Sequence, residues 1–362
     1  MSLYPSLRSI LFKLEPEDAH HLTLQLVRLA GLIPPVRWLL GAAFSAPQKP
    51  VEVFGLSFKN PVGLAAGYDK DGIAIQGLSS LGFGHIEIGT VTPRPQPGNP
   101  QPRVFRLLED QSVINRMGFP SRGTEYMQIQ LNPSLASGVW EWISGVPFMK
   151  SRKKGPLKRN FVLGVNLGKN KDTSNEQAVF DYLSLLQNYA PLADYLTINV
   201  SSPNTAGLRN LQGRDALNGL LKELHLQRLA EQTRLKKKLP LLVKLAPDLS
   251  PHELDEALDV IISTGMDGVI ATNTTLSRDG LRSARQSEAG GLSGKALTKL
   301  SDEVLERVIR HVGGHIPVVG VGGIMGPEDA RRKLDMGASL VQVYTGLIYA
   351  GPSLVRSIIK NI

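Results

Sequence analysis

Short apolar runs recur along the chain at 62–66, 85–89, 161–166, 195–200, 241–245, 268–272, 317–321 and 340–343, each bounded by Gly, Pro, Asn, Asp or Ser. Runs of this length suit strands buried on both faces, as a parallel sheet requires. Several intervening segments carry apolar residues at helical spacing, as Leu254, Leu258, Ile261 and Ile262 do within 253–262. Strand alternating with helix over eight units predicts an α/β fold, a (β/α)8 TIM barrel. A doubly wound open sheet would need GxGxxG after its first strand, and VGLAAGYDKDG lacks it. The stretch VEVFGLSFKNP at 51–61 reads as a small hairpin placed to close the bottom of the barrel.

The first fifty residues follow another pattern. Leu3, Leu7, Ile10, Leu11 and Leu14 form an apolar stripe beside Arg8 and Lys13, which predicts an amphipathic helix. Pro16 with Glu15, Glu17 and Asp18 marks a second helix start, and the mostly apolar 22–33 continues it until Pro34 and Pro35 stop it. A helical hairpin is expected. Trp38, Leu39, Leu40 and Phe44 extend the apolar character beyond what a two-helix cap needs, which points to a membrane-surface or lipid-access module. Residues 47–50 read as a linker, so the expected division is a helical module at 1–50 and a barrel at 51–362, with membrane access separable from chemistry.

A length of 362 residues and 42% hydrophobic content fit one large α/β domain with an appendage. The chain has no cysteine, which excludes disulfides, thiolate metal sites, iron–sulfur clusters and cysteine nucleophiles. No apolar run approaches the roughly 18 residues of a membrane span, and the N-terminus lacks a signal pattern. The expectation is a protein on the cytoplasmic side. The net charge of +9 points to an anionic partner, but the basic residues are scattered or confined to one insert, so no nucleic acid is expected. That insert, 133–159, sets Trp140, Trp142 and Phe148 beside Lys150, Arg152, Lys153, Lys154, Lys158 and Arg159, with Glu141 as its single acid. It reads either as a surface loop or as an interfacial membrane contact.

Candidate chemistry concentrates at the predicted strand ends. After the apolar strand at 195–200, YLTINVSSPNTAGLR becomes polar at Asn199, Ser201, Ser202, Asn204 and Thr205, a density sufficient to bind a small polar ring and move a proton from it. The other ends carry Ala65, Ala66, Gly67 and Lys70, then Thr90, Asn166, Lys244, Thr272, Asn273, Thr274, Gly322, Gly323, Tyr344 and Thr345. Small residues admit a large planar ligand, asparagines offer paired donors and acceptors, and lysines supply positive charge. GVGGIMG at 320–326 and VYTG at 343–346 occupy the loops after strands seven and eight, where barrels commonly bind phosphate. Lys244 ends an apolar strand, so its ammonium is expected in the barrel mouth, holding negative charge on a cofactor ring.

These residues also carry a family resemblance. AAGYDKDG, RPQPGNPQPRVFRL, INRMGF, GVNLGKNK, INVSSPNTAGLR, LVKLAPDL, GVIATNTT, GGLSGKAL, GVGGI and LVQVYTGL occur in family order, and the chain resembles the class 2, quinone-dependent, membrane-associated dihydroorotate dehydrogenases nearly end to end. The resemblance implies an FMN-containing barrel that oxidises dihydroorotate to orotate in pyrimidine (UMP) synthesis and passes electrons to a membrane quinone, on the cytoplasmic side of the cell membrane. It implies Ser202 as the base and Thr205 as a proton relay. For substrate it implies Lys70, Asn199, Asn204, Asn273 and Thr274 with the INRMGF loop residues Asn115, Arg116, Met117, Gly118 and Phe119. For FMN it implies Ala66, Gly67, Thr90, Asn166, Asn199, Lys244, Thr272, Gly294, Gly323, Tyr344 and Thr345, and for the quinone entrance His20 and Arg106. The soluble class 1 enzymes use a cysteine base, which this chain lacks. Pro120 departs from the family's usual asparagine beside the substrate loop.

Overall fold

The computed structural model describes residues 4–135 and 159–362. Nearly all of the aromatic and basic insert, residues 136–158, lies outside the described residues, as does Leu3. Three helices open the chain: α1 (Tyr4–Leu11), α2 (Pro16–Leu32) and α3 (Pro34–Ala43). Pro16 starts α2, and Glu17 and Asp18 lie in its first turn, where the helix dipole favours anions. Pro34 does more than stop α2. Its missing N–H costs nothing at a first helical position, so after extended Ile33 the chain turns through 110° and begins α3. The expected hairpin is thus a three-helix cap.

The antiparallel hairpin β1 (Val51–Val53) and β2 (Leu56–Phe58) follows. The chain continues through β3 (Val62–Leu64), α4 (Ile75–Ser79), β4 (His85–Val91), β5 (Val104–Leu107), β6 (Ser112–Asn115) and α5 (Gly123–Leu131). From residue 159 onward come β7 (Val162–Leu167), α6 (Ala178–Tyr189), β8 (Tyr195–Asn199), α7 (Arg214–Leu235), β9 (Leu241–Leu245), α8 (Pro251–Ser263) and β10 (Gly268–Ala271). The last elements are β11 (Gly291–Gly294), α9 (Thr298–Val312), β12 (Val318–Val321), α10 (Pro327–Asp335), β13 (Leu340–Val343), α11 (Thr345–Ala350) and α12 (Ser353–Asn361). Strands β3, β4, β7, β8, β9, β10, β12 and β13 close a parallel barrel in that order, with β13 pairing back to β3. The fold is a TIM barrel, and each barrel strand begins and ends within two residues of its predicted bounds. At α8, Ser250 and Glu253 form a capping box ahead of Pro251, which gives that helix its sharp start.

Strand alternation sorts the barrel residues. Outward-facing Ile86, Ile88, Val165, Ile198 and Val243 pack beneath the helices. Inward-facing Val162, Tyr195, Leu242, Ile270, Val319 and Leu340 fill the lower barrel together with Phe54 and Phe58 of the hairpin, which closes it as expected. Nearer the C-terminal ends, polar Glu87, Asn166, Thr197, Asn199, Lys244 and Gln342 are buried. A small antiparallel sheet, β5–β6–β11, stands beside that end and is absent from the sequence reading. Its four-residue strands are too short to show a period, and β11 lies far along the chain from its partner.

The cap is built onto the barrel. The Tyr4 hydroxyl and Arg8 donate to the carbonyls of Ile348 (2.6 Å) and Tyr349 (2.7 Å). α2 crosses α4 at backbone contact: a Cβ on Gly77 would lie 2.0 Å from the Val27 carbonyl oxygen, and one on Gly31 would lie 2.3 Å from the Gly77 nitrogen. The opposite side of the cap exposes Leu22, Leu26, Leu29, Leu32, Trp38 and Leu39. Among the described residues no single helix is long and apolar enough to cross a membrane.

Gly77→Ala should therefore force α2 away from α4 and cost about 1–3 kcal/mol, the usual cost of overpacking. Thermal and denaturant unfolding read this directly, and stability equal to wild type would mean that the crossing is loose.

Candidate active site

The C-terminal ends of the barrel strands open into a cavity of about 550 Å³ that continues outward to α1 and α2. That volume lies within the range of small-molecule sites. The inner lining is polar, with Ser202, Asn199, Asn273 and Lys244, whereas the outer part meets Leu7, Leu11, Phe12, Leu26 and Val27. One cavity thus joins the barrel mouth to the helical cap.

Its floor is a hydrogen-bonded layer organised by Glu87, fully buried inside the barrel. A buried carboxylate needs donors on both oxygens. Here Asn166 Nδ2 (2.8 Å), the Tyr195 hydroxyl (3.1 Å), the Thr197 hydroxyl (3.1 Å) and Gln342 Nε2 (3.0 Å) supply them. With its amide nitrogen held, Asn166 presents Oδ1 upward to Thr90 Oγ1 (2.5 Å) and Asn199 Nδ2 (3.0 Å). Asn199 Oδ1 accepts from Ser201 Oγ (3.0 Å), and Ser201 Oγ accepts from Asn273 Nδ2 (2.8 Å). Each amide is thereby held in one orientation. Lys244 lies on the cavity wall, where burial pushes its ammonium pKa down and the negative charge of Glu87 opposes that shift.

Lys70 reaches the cavity from the loop after β3. Asp69 anchors that loop by accepting from the backbone N–H groups of Ile73 (2.9 Å) and Ala74 (2.8 Å), and Lys70 Nζ donates to the Gly67 carbonyl (2.5 Å). Burial raises the Asp69 carboxyl to about 6 against those two hydrogen bonds. Burial lowers Lys70 to about 8, opposed by Asp71 and Glu17. Ser202, also buried, accepts from the Asn204 backbone N–H at 3.2 Å, and Asn204 Nδ2 donates to Asn115 Oδ1 at 3.3 Å. Opposite them, Gly294 and Gly323 adopt positive φ, and both are tight: added Cβ atoms would approach Gln111 O at 2.6 Å and Thr298 Cα at 2.3 Å. Gly294 and Gly323 line the cavity with bare backbone, and these loops, the amides and the buried ammonium fit a flavin mononucleotide, with backbone for the phosphate and cationic support for the ring.

All but four of the residues singled out at the predicted strand ends and in the substrate loop line this one cavity; the exceptions are Asn166, Ser201, Thr205 and Arg116. Asn166 lies just beneath it. Thr205 is buried with its hydroxyl unpartnered. Arg116 turns away from the expected substrate position, because Glu288 (2.7 Å) and the Phe105 ring (4.5 Å) hold its guanidinium. At the outer end, His20 packs edge-on to Tyr68 at 5.1 Å, and burial with nearby Lys70 pushes its pKa down to about 3, so the ring is neutral. Arg106 donates to the carbonyls of Phe12 (3.1 Å) and Leu14 (2.9 Å). Pro120 leads into Ser121, whose backbone pairs with Gln96. Glu87 was missed in sequence, and Ser201 was named there only as one of the polar loop residues, without its link from Asn199 to Asn273. The available signal was a single acid, in HIEIG, inside an otherwise apolar strand.

Comparison with known proteins gives a consistent picture. The sequence model of the family described as dihydroorotate dehydrogenase matches residues 49–362. A "Dihydroorotate dehydrogenase (quinone)" of Idiomarina loihiensis is 46% identical over 361 residues, covering 99% of this chain and 100% of the relative. One of Burkholderia ambifaria is 49% identical, covering 100% of this chain and 97% of the relative. A crystal structure of DHODH from Eimeria tenella in complex with ferulenol superposes with a TM-score of 0.78 at 37% identity, covering 96% of this chain and 90% of that one.

Glu87→Gln would set an amide N–H₂ among four donors. It is expected to destabilise the protein by about 2–3 kcal/mol, as for donors left unpaired in a buried network, measured by denaturant unfolding. Wild-type stability would remove Glu87 as the organiser of this layer.

Proposed function

The chain belongs to the dihydroorotate dehydrogenase family, and from that premise we propose that it oxidises dihydroorotate to orotate in pyrimidine biosynthesis, with FMN as its cofactor and a membrane quinone as final electron acceptor. The observation that carries this reading is the single cavity with a polar, cationic inner end and an apolar outer end against the cap. FMN, when bound, supplies the hydride acceptor and the means of passing electrons to a quinone.

The residues divide the remaining work. Lys70 pairs with the substrate carboxylate, a charge-assisted contact that orients the ring. Asn115, Asn199, Asn204, Asn273 and Thr274 hydrogen-bond the ring, with Met117, Gly118 and Phe119 enclosing it. Ser202 takes the C5 proton, and the Asn204 N–H on its oxygen fixes its position. A neutral serine is a weak base, so the step relies on acidification of the C5–H by the adjacent carbonyl and on passing the proton onward, with Thr205 as relay. Lys244 stabilises negative charge on the cofactor ring. Thr90 and Thr272 hold the ring edge, with Asn166 supporting Thr90 from beneath, Ala66, Gly67 and Tyr344 hold its face, and Gly294, Gly323 and Thr345 the phosphate. The quinone enters past His20 and Arg106.

Residues 1–50 serve as the quinone-access and membrane module, and the protein sits peripherally on the cytoplasmic face of the cell membrane. The exposed apolar residues of α2 and α3 support this, since Trp38 is 71% and Leu39 59% exposed.

Ser202→Ala is expected to keep FMN and bind orotate while flavin reduction by dihydroorotate slows on the order of 10²–10⁴-fold in stopped-flow absorbance. Near-normal reduction at neutral pH would remove Ser202 as the base. The double change Trp38→Glu with Leu39→Glu should release the protein from liposomes in flotation while leaving dye-coupled dihydroorotate oxidation intact. Undiminished flotation would remove this face as the membrane contact.

A further inference from the structure

Glu17, in the first turn of α2, is buried against Arg103, and their side chains are only 9% and 10% exposed. Arg103 donates to it through Nε (3.1 Å to each oxygen) and Nη2 (2.7 Å). The other guanidinium nitrogen, Nη1, donates to the backbone carbonyls of Pro97 (2.7 Å) and Asn99 (2.8 Å). Asn99 then ties two more segments together: its Nδ2 donates to the carbonyls of Arg116 (2.9 Å) and Asn204 (3.1 Å), and its backbone N–H donates to the Met117 carbonyl (2.8 Å). Hydrogen bonds thus run without a break from the helical cap to both loops assigned above to the substrate.

We propose that Glu17 is a positioning residue for dihydroorotate, acting through Arg103 and Asn99 on the loop that carries Ser202 and Asn204. The proposal rests on the reading of Lys70 and Asn204 as substrate contacts. It makes the cap part of the substrate site as well as a route for quinone.

Two physical effects carry it. A buried guanidinium stripped of its carboxylate is an uncompensated charge that loses the partner fixing its orientation. The 97–99 turn is then held less firmly, and so is the distance from Asn99 to Asn204. The second effect is electrostatic. Lys70 faces Asp69 and Asp71 from its own loop, Glu17 and His20 from α2, and Arg103 from the segment before β5. Glu17 cancels the repulsion that Arg103 exerts on the Lys70 ammonium. With Glu17 neutralised, the ammonium loses its proton at lower pH, and with it the grip on a substrate carboxylate.

The test is calorimetric binding of orotate to the holoenzyme across pH about 6 to 9, the range in which a depressed lysine titrates. Wild-type affinity should fall as pH rises through the Lys70 pKa, because only the ammonium pairs with the carboxylate. In Glu17→Gln the fall should begin roughly half to one pH unit lower. Asn99→Ala, which cuts the tether and leaves the charges in place, should weaken orotate roughly three- to tenfold at every pH without moving the fall. Flavin content and melting temperature, read on the same samples, report folding separately. A Glu17→Gln profile identical to wild type would overturn the proposal, as would unchanged affinity in Asn99→Ala should Glu17→Gln fail to fold. Failure of wild-type protein to bind orotate at any pH would instead overturn the substrate reading beneath it.

Discussion

A carboxylate inside a barrel has few ways to survive, and the use made of Glu87 sets the rest of the site. Its two oxygens take four side-chain donors, contributed by β7, β8 and β13. Those contacts orient Asn166, which orients Thr90 and Asn199, and through Ser201 the order reaches Asn273. Lower in the barrel the inward positions are mostly apolar and packed with the hairpin phenylalanines, the His85 ring lying edge-on to Phe58 at 5.5 Å. The barrel is therefore a solid plug beneath a polar platform, and the platform's amides cannot flip without leaving a buried donor unpaired. Preorganisation of this kind lets donors act on a ligand without reorganising at the moment of reaction.

The same economy extends to the cap. α2 reaches α4 through glycines at backbone distance and reaches the 97–99 turn and the loop after β8 through the buried pair of Glu17 and Arg103. Its other face is apolar and open. A single helix therefore presents an open apolar face on one side and reaches the electrostatic surroundings of Lys70 on the other. The cavity between them narrows in polarity outward, from lysines and asparagines to leucines, as a site handling an anion at one end and a lipid-soluble molecule at the other requires.

What was legible in sequence follows from how local each feature is. The barrel strands were readable because burial on both faces leaves unbroken apolar runs, and their polar ends named the cavity wall almost completely. Features that depend on distant partners were not readable. Glu87 looks like a stray acid until its donors from other strands are in place, and Arg116 looks available for substrate until Glu288, 172 residues on, captures it. Glu17 and Arg103 are 86 residues apart, so each reads alone as an ordinary surface charge. The misreading at Pro34 was local: a proline that ends one helix also serves as the first residue of the next.

In the function proposed above, one cavity couples oxidation of dihydroorotate at its inner end to reduction of a quinone at its outer end. Anaerobic visible absorbance of the purified protein tests it most directly. A bound flavin is expected, with a visible band that bleaches on addition of dihydroorotate, one orotate formed per flavin, and returns on addition of a quinone. A colourless protein, or a flavin band that dihydroorotate leaves unchanged, would contradict it.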